Sequence, residues 1–258
     1  MSKKVAYITG ASGGIGEAFA RKLIKDYSLV LIARSSDKLN RIAEELSSIG
    51  KAEIIVADLT KQKDVKAIQD RIAQDKELAM LINNAGFGTT GKFSELNLNK
   101  ELTEIQLNVN TLIRLSHAAS NNFLKRNEKG MIINVSSITA FLPIPGSATY
   151  AATKAYVKSF GESLHEELKE KGIYVQTLCP GFTRTNFQDT ANFDKSLIPD
   201  FFWMDASQVV EESLKSAGKK EAVCIPGLLN RSTTTVLDLI PGDILRKLSS
   251  FLVDKTKT

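Results

Sequence analysis

Short apolar runs rich in Val, Ile and Leu recur along the chain, and they restrict its fold more than any other feature. Seven runs are present: Val5–Thr9, Leu29–Ala33, Glu53–Ala57, Met80–Asn83, Met131–Val135, Tyr174–Leu178 and Ala222–Ile225. Continuous apolar character is typical of strands that are buried on both faces of a parallel sheet. Helical patterns lie between them, as where Ile15, Phe19 and Leu23 share one face. This alternation predicts an α/β fold with a doubly wound, mostly parallel seven-stranded sheet and helices on both faces.

No linker divides the 258 residues, so we expect a single domain over residues 1–258. Residues 182–206 depart from the regular pattern. Among the apolar and aromatic residues of this irregular stretch are Phe187, Phe193, Ile198, Pro199, Phe201, Phe202, Trp203 and Met204. Long loops in compact domains are usually functional, and so much exposed apolar surface is unusual. We therefore expect residues 182–206 to be a lid over an apolar substrate pocket, with Phe202 and Trp203 among its lining side chains.

Charge and composition exclude several classes of protein. The net charge is +5, but the lysines lie singly along helical patterns, which argues against nucleic acid as a partner. Cys179 and Cys224 lie in apolar runs without metal-ligand spacing, so we expect buried reduced thiols and no metal site. His117 and His165 lie on helical patterns, where we expect structural roles. The chain enters its first strand almost at once and has no apolar run of membrane-spanning length, so we expect a cytoplasmic protein without an integral membrane segment.

A glycine-rich turn follows the first apolar run and opens the first helical pattern. It reads Thr9-Gly10-Ala11-Ser12-Gly13-Gly14-Ile15-Gly16. Glycines permit a tight turn and let backbone N–H groups approach a pyrophosphate, and the helix N-terminus adds partial positive charge. The strand–turn–helix context therefore predicts a dinucleotide-binding, Rossmann-type fold in which Gly10, Ser12, Gly13, Gly14, Ile15 and Gly16 hold the cofactor.

The end of the second strand bears on the choice of cofactor. A site for NAD usually has an acidic residue there, which binds the ribose 2′-hydroxyl. Here the run ends at Ala33 and continues with Arg34-Ser35-Ser36, so a guanidinium occupies the position. Arginine is suited to bidentate contact with a 2′-phosphate, although a solvated loop cation is the alternative. We interpret Arg34 as a determinant of NADP(H) binding.

Three later residues carry the chemistry. Tyr150 and Lys154 are four residues apart in a helical pattern, so they share one face, one turn apart. A lysine ammonium near a phenol stabilises the phenolate and lowers the tyrosine pKa, which favours proton exchange with an alcohol or ketone oxygen. Ser137, at the end of the fifth run, is placed to donate a hydrogen bond to that oxygen.

Together these motifs resemble those of the short-chain dehydrogenase/reductase family over nearly the whole chain. The matching residues, in order, are Thr9–Gly16, Asp58-Leu59, Asn83-Asn84-Ala85-Gly86, Asn110, Ser137, Tyr150, Lys154 and Pro180-Gly181 with Thr183 and Thr185. The resemblance implies that Tyr150 is the general acid/base and that Ser137 polarises the substrate carbonyl. Lys154 would hold the nicotinamide ribose and tune the tyrosine. Asn110 would steady a water in the proton relay, although Asn108 lies two positions away and could fill that role.

The remaining matches imply contacts with the cofactor. Asp58, followed by Leu59, would meet the adenine, and Asn84-Ala85-Gly86 would lie near the ribose. Thr183 and Thr185, after Pro180-Gly181, would meet the nicotinamide amide and the pyrophosphate. Two helices, near Leu112–Phe123 and around Tyr150, commonly form a two-fold interface in the family, so a homodimer or homotetramer is expected.

The resemblance implies an NADP(H)-dependent oxidoreductase acting on an apolar ketone, aldehyde or 3-oxoacyl substrate and the corresponding secondary alcohol. Two alternatives are an epimerase or dehydratase, as among longer relatives with the same Tyr/Lys pair, and a non-catalytic NADP(H)-binding sensor or scaffold. The short chain and the compact glycine loop disfavour the former. The presence of Ser137, Tyr150 and Lys154 together disfavours the latter.

Replacing Arg34 tests the choice of cofactor. We expect Arg34→Asp, or Ala33→Asp with Arg34 neutralised, to weaken NADPH binding and favour NADH, because a carboxylate repels the 2′-phosphate and accepts from a 2′-hydroxyl. The measurement is kcat/KM with each cofactor. A wild-type protein that uses NADH more efficiently than NADPH would contradict the interpretation.

Overall fold

The computed structural model describes residues 3–187 and 199–239, and it confirms the predicted α/β fold. Within these residues, seven parallel strands form one sheet in the order β3-β2-β1-β4-β5-β6-β9. They are β1 Val5–Thr9, β2 Ser28–Ala33, β3 Ala52–Val56, β4 Leu78–Asn83, β5 Gly130–Val135, β6 Ile173–Leu178 and β9 Val223–Cys224. A separate parallel pair joins β7 Thr183–Arg184 to β8 Met204–Asp205. Each of the seven predicted apolar runs therefore contributes one strand to the main sheet.

Helices cover both faces of the sheet. The α-helices of the described part are α1 Gly14–Leu23, α2 Ser36–Leu46, α3 Gln62–Gln74, α4 Leu98–Ile105, α5 Leu112–Arg126, α6 Ala148–Leu168, α7 Ala206–Gly218 and α8 Leu228–Leu239. A π-helical turn, Gln106–Thr111, joins α4 to α5. Successive strand residues point to opposite faces, so Ile8 packs in one core with Phe19 of α1, and Tyr7 packs in the other with Phe123 of α5.

The strand order places the predicted site. From β1 the chain proceeds outward to β2 and β3, and it then returns to the other side of β1 with β4, β5 and β6. Ligands of doubly wound sheets bind where the order reverses, at the carboxyl ends of the strands. The loops after β1, β4, β5 and β6 meet at this edge, and they carry the glycine turn, Asn84, Ser137 and Pro180.

The segment 182–206 is more regular than its sequence suggests. Its described part contains β7, a 3-10 turn over Asp200–Phe202 and β8. Phe193 and Ile198 lie outside the described residues. Cys179 and Cys224 are buried free thiols, as predicted.

Two features are absent from residues 3–187 and 199–239. Among these residues, no helix is long and apolar enough to cross a membrane. The same residues contain no cluster of His, Cys, Asp and Glu that could hold a metal ion. Of the two histidines, His165 is buried and contacts the Val175 carbonyl oxygen at 2.7 Å, and His117 is exposed on α5.

Candidate active site

A cleft of about 530 Å³ opens at the carboxyl ends of the strands. Most of the residues proposed from the sequence line it. They are Gly10, Ser12, Gly13, Gly14, Ile15, Arg34, Asp58, Leu59, Asn84, Ala85, Gly86, Ser137, Tyr150, Lys154, Pro180, Gly181, Thr183 and Thr185. Two proposed residues, Gly16 and Asn110, do not line the cleft. The fold thus brings together side chains that are up to 175 positions apart, from Gly10 to Thr185.

The glycine turn has the shape that a dinucleotide requires. Gly10 adopts a φ of +66°, in the left-handed region that favours glycine. A Cβ at Gly16 would lie 2.4 Å from the Gly10 carbonyl oxygen, so this glycine allows α1 to pack closely on the turn rather than facing the cleft. A Cβ at Gly13 would meet no described atom within 4 Å, which leaves open space over the start of α1. The open, side-chain-free surface at a helix N-terminus fits a pyrophosphate.

Hydrogen bonds fix the turn to the neighbouring strand. The Thr9 hydroxyl accepts from the backbone N–H groups of Asn84 at 2.9 Å and Ala85 at 3.0 Å. In return, Asn84 Nδ2 donates to the carbonyl oxygens of Thr9 at 2.9 Å and Gly10 at 3.1 Å. The loops after β1 and β4 are therefore held together at the switch point. This contact gives Asn84 a structural function in addition to its position in the cleft.

Positive charge gathers at the far end of the cleft, beyond β2. Arg34 and Lys38 both line the cleft and are exposed, and Lys38 lies one turn of α2 beyond the arginine. Asp58 faces them. Burial would raise the pKa of this carboxyl, but hydrogen bonds from Thr60 and the charges of Arg34 and Lys61 oppose it, and the net direction is downward. Asp58 is thus held as an anion, and its Oδ1 already accepts from the Thr60 hydroxyl at 2.7 Å.

The near end of the cleft holds Ser137, Tyr150 and Lys154. Helix α6 carries the tyrosine and the lysine one turn apart, and the Lys154 ammonium lies 5.6 Å from the centre of the Tyr150 ring. Lys154 Nζ donates to the Val135 carbonyl oxygen at 3.0 Å, at the end of β5. The Ser137 hydroxyl follows this strand and accepts from the Thr139 N–H at 3.1 Å. The end of β5 and the first turns of α6 therefore carry all three side chains.

Burial dominates the electrostatics of these groups. It raises the pKa of Tyr150 well above its usual value, and a hydrogen bond with Ser137 only partly opposes it. The expectation of a lowered Tyr150 pKa is therefore wrong in its net direction, because burial outweighs the stabilisation of the phenolate. Burial also lowers the pKa of Lys154 to about 8, against the charge of Glu104. At neutral pH the phenol is protonated, as a proton donor must be.

Asn110 requires a correction. It lies on the exposed side of the π-helical turn, where its Nδ2 donates to Gln106 Oε1 at 2.9 Å. Asn108 is instead 2% exposed, and its side chain donates to the Phe87 carbonyl oxygen at 2.9 Å and to Thr153 Oγ1 at 3.1 Å. Because Thr153 precedes Lys154, Asn108 is the asparagine adjacent to the Tyr/Lys pair. The spacing argument thus selected the wrong member of the two.

Sequence reasoning also missed several residues of the cleft. Phe87 and Leu107 line it without having been proposed. Phe187, which the sequence placed in the lid, also lines it, and its ring centre lies 5.5 Å from that of Tyr150. Of the two aromatic residues expected to line the pocket, Phe202 and Trp203, neither lines this cleft. Trp203 packs on Phe182, with ring centres 5.5 Å apart. Lys38 could have been found from its position one turn after Arg34, but Phe87 and Leu107 carry no comparable signal.

A glycine turn at the switch point of a parallel sheet, joined by one cleft to a Ser/Tyr/Lys group, defines an NAD(P)-dependent oxidoreductase of Rossmann type. Comparison with known proteins gives the family. Residues 4–196 match the short chain dehydrogenase family, to which the chain belongs.

Three similar proteins illustrate the family. The very-long-chain 3-oxoacyl-CoA reductase of Rattus norvegicus is 31% identical over 261 residues, which cover 97% of this chain and 77% of that protein. A short-chain dehydrogenase from Sphingobium yanoikuyae, solved in complex with NADPH, is 32% identical with a TM-score of 0.83 and coverage of 92% and 96%. The bulky-bulky ketone specific alcohol dehydrogenase from Comamonas testosteroni is 33% identical with a TM-score of 0.79 and coverage of 92% and 95%.

The two asparagines can be separated by stability. Asn108→Ala removes a buried side chain with hydrogen bonds to Phe87 and Thr153, so we expect the free energy of unfolding to fall by about 1–3 kcal/mol. Asn110→Ala is the matched control, and it should change that free energy by no more than about 0.5 kcal/mol because the site is exposed. Urea unfolding measures both. Equal losses in the two variants would contradict the assignment of Asn108 to the interior.

Proposed function

We propose that this protein is an NADP(H)-dependent carbonyl reductase that interconverts an apolar ketone, aldehyde or 3-oxoacyl compound and its alcohol. One observation carries the proposal. The hydroxyl groups of Ser137 and Tyr150 and the buried Lys154 ammonium lie at one end of a cleft whose other parts suit a dinucleotide. A bound nicotinamide supplies the hydride in reduction and accepts it in oxidation.

The chain's own residues would handle the proton and the carbonyl oxygen. Ser137 donates a hydrogen bond that orients this oxygen and polarises the carbonyl. Tyr150 is protonated at neutral pH, so its hydroxyl can give a proton to the developing alkoxide. Lys154 stabilises the phenolate that remains, because a positive charge near the ring favours its ionised form. Asn108, rather than Asn110, is the asparagine that we assign to the polar network beside these groups.

Two cations support a preference for NADP(H). Arg34 and Lys38 line the end of the cleft where a ribose 2′-phosphate would lie, and no carboxylate terminates β2. Arginine provides a planar fork for phosphate, and lysine adds a point charge one helical turn away. The Sphingobium relative with 32% identity was solved in complex with NADPH, which agrees with this assignment.

Apolar side chains around Tyr150 favour apolar substrates. Phe87, Leu107 and Phe187 line the cleft, and the ring centre of Phe187 lies 5.5 Å from that of Tyr150. Ligand pockets of this type bind by apolar contact and use a few polar groups for orientation. The names of the Comamonas and Rattus relatives, a bulky ketone alcohol dehydrogenase and a 3-oxoacyl-CoA reductase, agree with this substrate class. We further propose that part of the segment 182–206 acts as a lid, with Phe187 rather than Phe202 or Trp203 beside the substrate.

We also propose a cytoplasmic homodimer or homotetramer. Leu124 of α5 and Tyr156 of α6, the two helices expected to form the interface, are exposed, and α4 adds the exposed side chains of Leu98, Leu102 and Ile105. Apolar surface of this kind on adjacent helices is typical of an interface. The rival functions are an epimerase or dehydratase and a non-catalytic NADP(H)-binding sensor or scaffold. NADPH consumption with a carbonyl substrate distinguishes a reductase from each of them.

Replacing Tyr150 tests the proposal. In Tyr150→Phe the ring is retained but the proton donor is lost, so we expect kcat to fall by about 10²- to 10⁴-fold with NADPH binding preserved. Tyr156→Phe, on an exposed part of the same helix, is the matched control and should keep full activity. The measurement is NADPH oxidation with a panel of ketones, aldehydes and 3-oxoacyl thioesters. Near-normal turnover by Tyr150→Phe, or no turnover by the wild type with any compound, would contradict the proposed function.

A further inference from the structure

Two buried carboxylates lie beneath the proposed active site, and the proposed mechanism does not use them. Glu104, on the last turn of α4, has 0% exposure, and Glu101, one turn earlier, has 3%. Glu104 Oε2 accepts from the Thr89 hydroxyl at 3.0 Å. Within the described residues, its Oε1 and both carboxylate oxygens of Glu101 have no hydrogen-bond partner. Carboxylates are rarely buried without partners, so this pair requires a physical explanation.

Short contacts connect Glu104 to the reacting groups. Thr89, its hydrogen-bond partner, follows Gly88, and a Cβ at Gly88 would lie 2.9 Å from Tyr150 Cδ2. The Glu104 carboxylate is thus separated from the Tyr150 ring by this two-residue segment. On the other side, α4 packs directly against α6, which carries Tyr150 and Lys154. Glu104 therefore belongs to the wall behind the active site.

Few titratable groups face Glu104 and Lys154. Tyr150 and Lys154 on α6 and Glu101 on α4 interact electrostatically with Glu104, and Cys179 is the other titratable group that faces Lys154. Burial raises the pKa of Glu104 to about 7, and the negative charge of Glu101 adds to this rise. The Thr89 hydrogen bond and the positive charge of Lys154 oppose it. Lys154 is buried, and its ammonium donates to a neutral acceptor, the Val135 carbonyl oxygen. Within the described residues, Glu104 is the one carboxylate whose charge acts on it.

We propose that Glu104 is a positioning residue of the active site, whose carboxylate is the buried counter-charge that keeps Lys154 in its ammonium form. Glu101 is the like-charged neighbour that limits how readily Glu104 ionises. The role in catalysis rests on the proposed function, since Lys154 is there the group that stabilises the phenolate. Glu104 touches neither substrate nor cofactor, and it acts through Lys154 and Tyr150.

The sign of the expected effect follows from the charges. An ionised Glu104 favours the protonated forms of both Lys154 and Tyr150, because a nearby negative charge stabilises an ammonium and destabilises a phenolate. Reduction needs both groups protonated. The alkaline limb of the pH–rate profile is therefore set by deprotonation of Lys154 or of Tyr150. In both cases, removal of the Glu104 charge lowers the pKa of that group and moves the limb to lower pH.

The test compares two isosteric variants. Glu104→Gln keeps the size of the side chain and should move the alkaline limb of kcat for carbonyl reduction down by about one pH unit. Glu101→Gln, equally buried on the same helix, is the matched control. Glu104 keeps its charge in this variant and, with a pKa of about 7, is already ionised at the alkaline limb, so the limb should move by much less than in Glu104→Gln. An unchanged limb in Glu104→Gln, or equal downward shifts in both variants, would overturn the proposal.

A second measurement does not depend on activity. Lysine labelled with carbon-13 at Cε allows Lys154 to be titrated by NMR, and Lys154→Arg assigns its signal. We expect the Lys154 pKa to be lower in Glu104→Gln than in the wild type. If the wild type reduces no carbonyl but the titration shifts, the proposed function fails and the charge pairing stands. If Glu104→Gln does not fold, Thr89→Val takes its place: loss of the Thr89 hydrogen bond disfavours ionised Glu104, so a lowered Lys154 pKa supports the pairing, and an unchanged one overturns it.

Discussion

The contact between Lys154 and the end of β5 is the constraint on which the site depends. Lys154 Nζ donates to the Val135 carbonyl oxygen, and the Lys154 carbonyl oxygen accepts from the Ser136 hydroxyl at 2.7 Å. Helix α6 is thereby fixed to the strand that leads into Ser137. Because the tyrosine lies one turn before the lysine, the same contact sets the position of Tyr150. The groups that we propose to react are held by a strand and a helix, which position side chains more accurately than loops do.

The cost of this arrangement is electrostatic. A buried ammonium and a buried phenol are pushed toward their neutral forms, because burial penalises charge. For Tyr150 this suits a proton donor. For Lys154 it creates a need for a nearby negative charge, and Glu104 is the carboxylate that acts on it. Glu104 of α4 and the Tyr150 and Lys154 side chains of α6 therefore form one electrostatic unit.

The sequence predicted the sheet and most of the cleft because both depend on local patterns. Apolar runs identify strands, and parallel strands bring their following loops to one edge, so Gly10, Asn84, Ser137 and Pro180 could be grouped without coordinates. Asn110 was wrong for a physical reason. The segment Gln106–Thr111 is a π-helical turn, in which side chains face other directions than in an α-helix, and it turns Asn108 inward.

Burial was the other property that sequence spacing did not reveal. The i,i+4 spacing of Tyr150 and Lys154 is the same on an exposed and on a buried helix, so it predicted a lowered tyrosine pKa where the structure has a raised one. Glu101 and Glu104 likewise resemble ordinary surface residues in the sequence. Their burial follows from the packing of α4 against α6, which is a tertiary contact.

Isotope transfer follows the hydride itself and therefore shows whether the protein is an NADPH-dependent carbonyl reductase. The measurement uses NADPH that carries deuterium at the transferable position of nicotinamide C4, together with the best carbonyl substrate and mass spectrometry of the product. We expect deuterium on the carbinol carbon in proportion to the NADPH consumed, while the hydroxyl proton comes from solvent. A product without deuterium on that carbon would contradict it.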